Sequence, residues 1–197
     1  MKATVIIPYK EDRGWLEQAI DSVPADVQLL ISQGDGTWPQ NFNKALPMAK
    51  GEFIKYLHDD DMLTPNCIDD SIRTFQQTGC DFIHGNAIQF RGAEKSKYYP
   101  PIKYPTVRDL VKRNTVHSAT LMYHRSVFER VGSFDEELMT CEEFEFTLRC
   151  LARGMRIGYC DSFLAYYRLH DKQKTNTIKE VRRSVDRQLI RAIYENV

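Results

Sequence analysis

Three consecutive aspartates, Asp59 to Asp61, follow His58 at the end of an apolar stretch, in the segment YLHDDDML. Carboxylates placed this close repel one another, and a divalent cation would relieve the repulsion. Carboxylate oxygens are hard donors that suit Mg²⁺ or Mn²⁺, especially where phosphate oxygens of a substrate complete the coordination. A solvated turn after a strand is the alternative explanation of the same run. For His58 the sequence leaves open a metal contact or a role in shaping the loop.

The regions around this acidic run alternate between strand-like and helix-like patterns. Strands are predicted at 3–9, 27–32, 52–58 and 81–90, with helices between them at 13–23, 39–51 and 64–79. Such alternation indicates an α/β fold, with α/β/α layers around a mostly parallel sheet. Polar residues follow three of the strands, in the segments YKED, QGDG and HDDD. Ligands of such sheets bind at the carboxyl ends of the strands, so these segments predict a common site.

The second half of the chain has less regular patterns. The segment 91–105 is rich in Lys, Tyr and Pro, which predicts a mobile loop or lid. A helix predicted at 141–154 opens with Glu142 and Glu143, carboxylates that the helix dipole favours at that end. A carboxylate directed into a cleft could instead act as a general base. The tail 177–197 is predicted to be a helix that packs on the body through an apolar stripe of Ile178, Val181, Val185, Leu189 and Ile193.

The composition is that of a globular protein, with 42% hydrophobic residues and 27 basic residues balanced by 27 acidic ones. A formal net charge of zero argues against broad electrostatic binding to nucleic acid or to an anionic membrane. No run approaches the roughly 18 apolar residues that span a bilayer, and the first apolar run is too short for a signal peptide. Five cysteines without a C-x-x-C pair favour a reducing compartment. We therefore expect a soluble cytoplasmic protein with a single domain, 1–197.

Taken in order, several segments resemble motifs of the family 2 glycosyltransferases, which have the GT-A fold. VIIPYKED resembles the end of the family's first strand, QGDGT its D-D-G-S segment, and NFNKALPMAKGEFIKYL its N-x-G-x-x-x-A-x-G-E-Y-I motif. HDDDMLTP resembles the D-x-D-D-x-x-x-P metal motif, VGSFDEEL the G-x-F-D-E segment, EEFEFTLR the E-D-x-D-L-x-L-R motif, and YYRLH the late Y-R-x-H segment. The match runs from about residue 3 to residue 176. The chain has Lys10 where the family has Asn, Gly34 and His58 where it has acids, and Glu143 where it has Asp.

The resemblance implies an inverting, metal-dependent transfer of a sugar from a UDP-sugar to a hydroxyl of a glycan or glycoprotein acceptor. Residues 1–90 would form the nucleotide-sugar and metal half, and residues 106–176 the acceptor and catalytic half. The implied nucleotide-sugar contacts are Pro8, Tyr9, Lys10, Asp35, Asn43, Asp59 and Asp60. Mn²⁺ or Mg²⁺ would be held by Asp60, Asp61 and His170. The implied base is Glu143, with Glu142 as the alternative and His117 on the acceptor side.

The stretch 32–49 also resembles the amino-terminal glycosyltransferase domains of chlorella-virus proteins that glycosylate the capsid. That resemblance implies a hexose or deoxyhexose donor such as L-rhamnose, a viral capsid glycoprotein as acceptor, and a location in the host cytoplasm. Two other classes stay open. The departures at Lys10, Gly34 and His58 motivate a non-catalytic module that binds a nucleotide sugar or a glycan. A nucleotidyltransferase would need a Gly-rich basic loop after the first strand, which YKEDRGW matches poorly.

Overall fold

The computed structural model describes residues 2–178 and 180–195 of the chain. Within these ranges, eight strands form a sheet in the order β2-β1-β3-β7-β5-β8-β4, and β6 pairs with β5. The strands are β1 (Ala3–Tyr9), β2 (Gln28–Gln33), β3 (Phe53–Tyr56), β4 (Met62–Leu63), β5 (Phe82–Arg91), β6 (Glu94–Tyr98), β7 (Met122–His124) and β8 (Ile157–Arg168).

The pairing divides the sheet into a parallel part and a mixed part. Strand β1 lies parallel to both β2 and β3, as the strand–helix alternation of the first half predicts. Strand β7 is antiparallel to β3 and to β5, whereas β5 and β8 are parallel. The predicted α/β class is confirmed, with the correction that the complete sheet is mixed, because β4, β6 and β7 each enter it antiparallel.

The helices are α1 (Leu16–Asp21), α2 (Trp38–Ala45), α3 (Cys67–Thr78), α4 (Val107–Lys112), α5 (Arg125–Val131), α6 (Glu142–Ala152), α7 (Lys174–Thr177) and α8 (Glu180–Tyr194). Local interactions determine where two of these helices begin or end. Helix α2 begins with a capping box between Thr37 and Gln40, and α3 ends at Gly79, which has a left-handed φ of 60°. In residues 2–178 and 180–195, no helix has both the length and the apolar composition needed to cross a membrane.

Apolar residues cover both faces of the sheet. On one face, α2, α4, α5, α6 and α8 pack over an aromatic cluster that includes Phe42, Tyr56, Tyr123 and Phe146. On the other face, α1 and α3 bury a second cluster with Ile7, Leu63, Ile72 and Phe75 among its members. Helices on both faces of a central sheet give the three predicted layers.

The segment 91–105 forms structure rather than a loose lid. Its first half is strand β6, which pairs antiparallel with β5 as a hairpin. Tyr98 then donates a hydrogen bond from its hydroxyl to Thr115 O at 2.9 Å, and His84 Nε2 lies 2.7 Å from Lys103 O. These contacts join the segment to the body, and residues 94–98 form a strand where a loop was predicted.

The tail forms helix α8 as predicted, but a different face of the helix packs on the body. Val185, Leu189 and Ile193 are 44%, 60% and 66% exposed, whereas Ile190 and Tyr194 are buried. Both sets of apolar residues have helical spacing, and polar contacts favour burial of the face that carries Ile190 and Tyr194. Tyr194 donates from its hydroxyl to Glu145 Oε1 at 3.0 Å, and Asp186 Oδ2, on the same face, accepts from Thr140 at 2.7 Å. Lys179, Asn196 and Val197 of the predicted helix lie outside the described residues.

Candidate active site

A cleft of about 740 Å³ opens at the carboxyl ends of β1, β2 and β3 and continues to the start of α6. Parallel strands that end together leave their following loops at one edge of the sheet, where side chains from distant parts of the chain can meet. The cleft is lined by most of the residues that carry the predicted chemistry, namely Pro8, Tyr9, Lys10, Asp35, His58, Asp59, Asp60, Glu142 and Glu143.

The loops after β1 and β2 are tied together at one end of the cleft. Asn41 Nδ2 donates to Tyr9 O at 2.9 Å and to Gly34 O at 3.0 Å, and Lys10 Nζ donates to Asp35 O at 2.9 Å. A Cβ atom added at Gly34 would lie 2.3 Å from Asn41 Oδ1. A larger residue at position 34 would therefore require the Asn41 side chain to move from its contacts with the two loops.

Asn43 lies elsewhere, although it was predicted as a nucleotide-sugar contact. Its Nδ2 donates to Phe134 O and to Glu136 Oε1, each at 2.8 Å, and Asn43 is outside the set of residues that line the cleft. Two helix positions separate the two asparagines, so they point to different sides of α2. The side chain that joins the loops after β1 and β2 is Asn41.

Arg13 holds the acidic run together. Its Nη2 lies 2.9 Å from Asp59 Oδ1 and 3.1 Å from Asp60 Oδ2, and its Nη1 donates to Lys172 O at 3.3 Å. Burial would raise the pKa of Asp60, but the charges of His58, His170 and Arg13 lower it below its ordinary value. The sequence did not predict a role for Arg13, because its carboxylate partners lie 46 and 47 positions away in the chain.

Asp61 points away from the cleft. It is 1% exposed, its Oδ1 accepts from the Arg168 backbone N–H at 2.9 Å, and its Oδ2 has no partner among the described residues. Burial and the charge of Asp60 raise the pKa of Asp61 to about 8. The structure thus places Asp61 behind the acidic pair that faces the cleft, and the predicted metal role of Asp61 does not match this position.

Asp60 and His170 are residues at the acidic run whose donor types could hold a divalent cation. Asp60 Oδ2 and His170 Nε2 lie 2.9 Å apart, with side chains only 14% and 10% exposed. His170 Nδ1 is buried without a hydrogen-bond partner in the described part of the chain. Mg²⁺ in proteins commonly takes one or two carboxylates and completes its shell with substrate phosphates and water. Residues 2–178 and 180–195 contain no group of three His, Cys, Asp or Glu side chains arranged for a metal ion.

His58 and Glu143 meet in the middle of the cleft. His58 Nε2 lies 3.2 Å from Glu143 Oε1, and the two side chains are 21% and 15% exposed. Burial would lower the pKa of His58, but the hydrogen bond and charge of Glu143, with the charges of Asp60 and Asp61, raise it to about 9. Burial would likewise raise the pKa of Glu143, and the contact with His58 brings it below its ordinary value. The predicted base is thus held as a carboxylate.

Glu142 has a different environment from its neighbour. It is 3% exposed and accepts a hydrogen bond from Lys174 Nζ of α7. Burial, and secondarily the charge of Glu143, raise the pKa of Glu142 above its ordinary value despite Lys174. Both glutamates line the cleft, but Glu142 is the one tied to the segment after β8.

The predicted acceptor-side wall, here residues 114–121, is supported from inside the protein. Buried Lys55 donates from Nζ to Ala119 O at 2.6 Å and to Leu121 O at 2.9 Å, and burial lowers the pKa of its ammonium to about 8. His117 belongs to this wall, but its ring faces inward, 5.1 Å from the Tyr98 ring and 4.8 Å from the Tyr167 ring. Its neighbours Val116 and Ser118 line the cleft instead, so His117 lies beneath the predicted acceptor side.

Comparison with known proteins gives the family. The model of the glycosyl transferase family 2 matches residues 24–132, which is more than half of the chain. The chain belongs to this family, as its motifs predicted. An uncharacterized glycosyltransferase of Rickettsia typhi is 22% identical over 88% of this chain and 66% of its own length. The O-antigen biosynthesis protein RfbC of Myxococcus xanthus is 24% identical over 79% of this chain, which spans 16% of RfbC.

Solved structures agree on the fold. The crystal structure of S. aureus TarS 1–349 in complex with UDP-GlcNAc superposes with a TM-score of 0.73 at 16% identity, covering 100% of this chain and 72% of TarS 1–349. The complex of TarS 1–349 with UDP gives a TM-score of 0.72 at 17% identity, covering 98% of this chain and 65% of that one. The predicted GT-A type of α/β fold is confirmed by these matches. This chain spans about two thirds of several of the proteins that it resembles.

Proposed function

We propose that the chain transfers a sugar from a UDP-sugar to a hydroxyl of a glycan or glycoprotein acceptor, with inversion at the anomeric carbon. The proposal is supported mainly by the presence of two acidic groups in one cleft. Asp59 and Asp60 face it from the loop after β3, and Glu143 faces it from the start of α6. The UDP and UDP-GlcNAc complexes of the TarS structures support a uridine nucleotide as the leaving group.

The two acidic groups have different roles in the proposed reaction. Asp60 and His170 would hold Mn²⁺ or Mg²⁺, which when bound neutralises charge on the departing diphosphate. Pro8, Tyr9, Lys10 and Asp35 would contact the nucleotide at the other end of the cleft. Arg13, within reach of both carboxylates, supplies a second positive charge near the diphosphate position.

Glu143 is assigned as the base because it is the carboxylate held in the ionised form. It accepts the proton of the acceptor hydroxyl, while the acceptor oxygen forms a bond to the anomeric carbon. The bond between that carbon and the diphosphate oxygen breaks with its electron pair, so UDP departs and atoms balance. Attack opposite to the leaving group inverts the anomeric centre, as in the inverting glycosidases.

The resemblance of the stretch 32–49 supports a narrower choice of substrates within this class. We propose a hexose or deoxyhexose donor such as L-rhamnose, and a viral capsid glycoprotein as the acceptor. A panel of UDP-, GDP- and dTDP-sugars identifies the donor, scored by nucleotide release with Mn²⁺ and with a chelator.

The chemistry is tested on the same panel with three variants. Glu143→Gln should keep UDP affinity and lose transfer by about 10²-fold or more, since the amide cannot accept the proton. Asp60→Ala should remove the gain in UDP affinity that Mn²⁺ gives the wild type. Asp69→Ala, an exposed aspartate in the first turn of α3, is the matched control and should change neither quantity. UDP binding without release from any donor would favour a binding module instead.

A further inference from the structure

We propose that His58 is the positioning residue for Glu143, holding Oε1 of the base and leaving Oε2 to accept the proton of the acceptor. This inference rests on the proposed function, because it assumes that Glu143 is the base. From the sequence, His58 was predicted either to contact the metal or to shape the loop.

The contact joins two parts of the cleft that are far apart in the chain. His58 follows β3, Glu143 opens α6, and 85 residues separate them, yet Nε2 and Oε1 lie 3.2 Å apart. A glutamate side chain has three rotatable bonds, so without a partner its carboxylate samples several positions in an open cleft. Base catalysis requires the reacting atoms within hydrogen-bond distance, and a displacement of about 1 Å can cost about 10²-fold in rate.

His58 is itself held by aromatic rings. Its ring packs edge-on against Trp38 at 5.2 Å and against Tyr56 at 5.3 Å. Trp38 stacks on Tyr56 at 5.5 Å, and the Tyr56 hydroxyl donates to Ser118 O in the acceptor-side wall. The imidazole is therefore fixed by the core of the protein, and it transfers that rigidity to the carboxylate that it touches.

The charge at position 58 also matters for the base. An acid at this position, as the family motif has, could not donate a hydrogen bond to Glu143 and would repel its carboxylate. A histidine that donates from Nε2 holds Glu143 there instead. The role of His58 in the proposed reaction is to orient the carboxylate of Glu143.

The proposal is tested by a double-mutant cycle on the full chain with the donor found in the panel. The variants are His58→Leu, His58→Gln, Glu143→Gln and the double variant His58→Leu/Glu143→Gln. Leucine fills the space between the rings without a donor, and glutamine restores an N–H that can reach Glu143. His124→Leu, at the end of β7 and outside the cleft, is the matched control. UDP affinity and thermal unfolding are measured for every variant.

We expect His58→Leu to lower kcat about 10- to 100-fold with donor KM and UDP affinity within about threefold. His58→Gln should recover most of kcat. In the Glu143→Gln background, His58→Leu should cause no further loss, because residues that act as a unit are not additive.

Two outcomes overturn the inference alone, namely additive losses in the cycle, or weaker UDP binding by His58→Leu with kcat unchanged. The second would make His58 a nucleotide contact. A wild type that releases no nucleotide from any donor refutes the proposed function instead, and with it the role of Glu143 as base. The two failures are therefore distinguishable.

Discussion

His117 should make the protein lose stability when the pH falls from about 7 to about 5. The ring is held between Tyr98 and Tyr167, and its Nδ1 has no hydrogen-bond partner among the described residues. Burial, reinforced by the positive charge of Lys55 and only partly opposed by Glu143, lowers the pKa of His117 from its ordinary 6.5 to about 4. The folded state therefore favours the neutral ring.

The sign and the size of this loss of stability follow from proton linkage. Between the two pKa values the unfolded chain binds a proton at His117 that the folded chain rejects, so the free energy of unfolding falls as the pH falls. Stability from this source is fully present above 6.5 and is lost progressively toward 4. One pKa unit corresponds to about 1.4 kcal/mol, which gives a loss of about 2 kcal/mol between pH 7 and pH 5 and a limit of about 3 kcal/mol.

The assay is urea unfolding followed by the fluorescence of Trp15 and Trp38 at the two pH values. Other groups titrate in the same range, so the quantity to compare is the pH-dependent loss of the wild type minus that of His117→Asn. We expect the variant to lose about 2 kcal/mol less than the wild type over this interval. His124→Asn keeps His117 and should keep the loss. Equal losses in the wild type and His117→Asn would refute the reasoning.

Two further predictions test the assignments that the structure changed. Asn41→Ala should lower the free energy of unfolding by about 1–3 kcal/mol and raise the donor KM, because Tyr9 O and Gly34 O lose their donor. Asn43→Ala, the matched variant outside the cleft, should leave the donor KM unchanged; equal effects of the two variants on KM would contradict the assignment. On α8, Leu189→Ser should change the free energy of unfolding by less than about 0.5 kcal/mol, and Ile190→Ala should lower it by about 2–5 kcal/mol. The reverse order in urea unfolding would mean that the other stripe packs on the body.

Much of the site could be predicted because its parts are local in the chain. A strand that ends in polar residues is visible as an apolar run followed by YKED, QGDG or HDDD, and strand ends of a parallel sheet meet at one edge. Asp59 and Asp60 were predicted to lie there on that basis, and Glu143 through the resemblance of EEFEFTLR to a family motif. The structure places all three in the cleft. The positions of Asn43 and Asp61 were less predictable, because residues only one or two positions apart in the chain can face different sides of the protein.

The amino-acid sequence by itself determined the alternation of the main strands and helices in the first half, the family, and the residue types at the strand ends, because each depends on short-range patterns. Tertiary packing decided which of these residues meet. Arg13 reaches Asp59 across 46 positions of sequence, and His58 reaches Glu143 across 85. Tertiary packing also decided which of two equally spaced apolar stripes of α8 is buried, through the hydrogen bonds of Asp186 and Tyr194. Contacts over such distances depend on how the layers pack, and no local pattern in the chain encodes them.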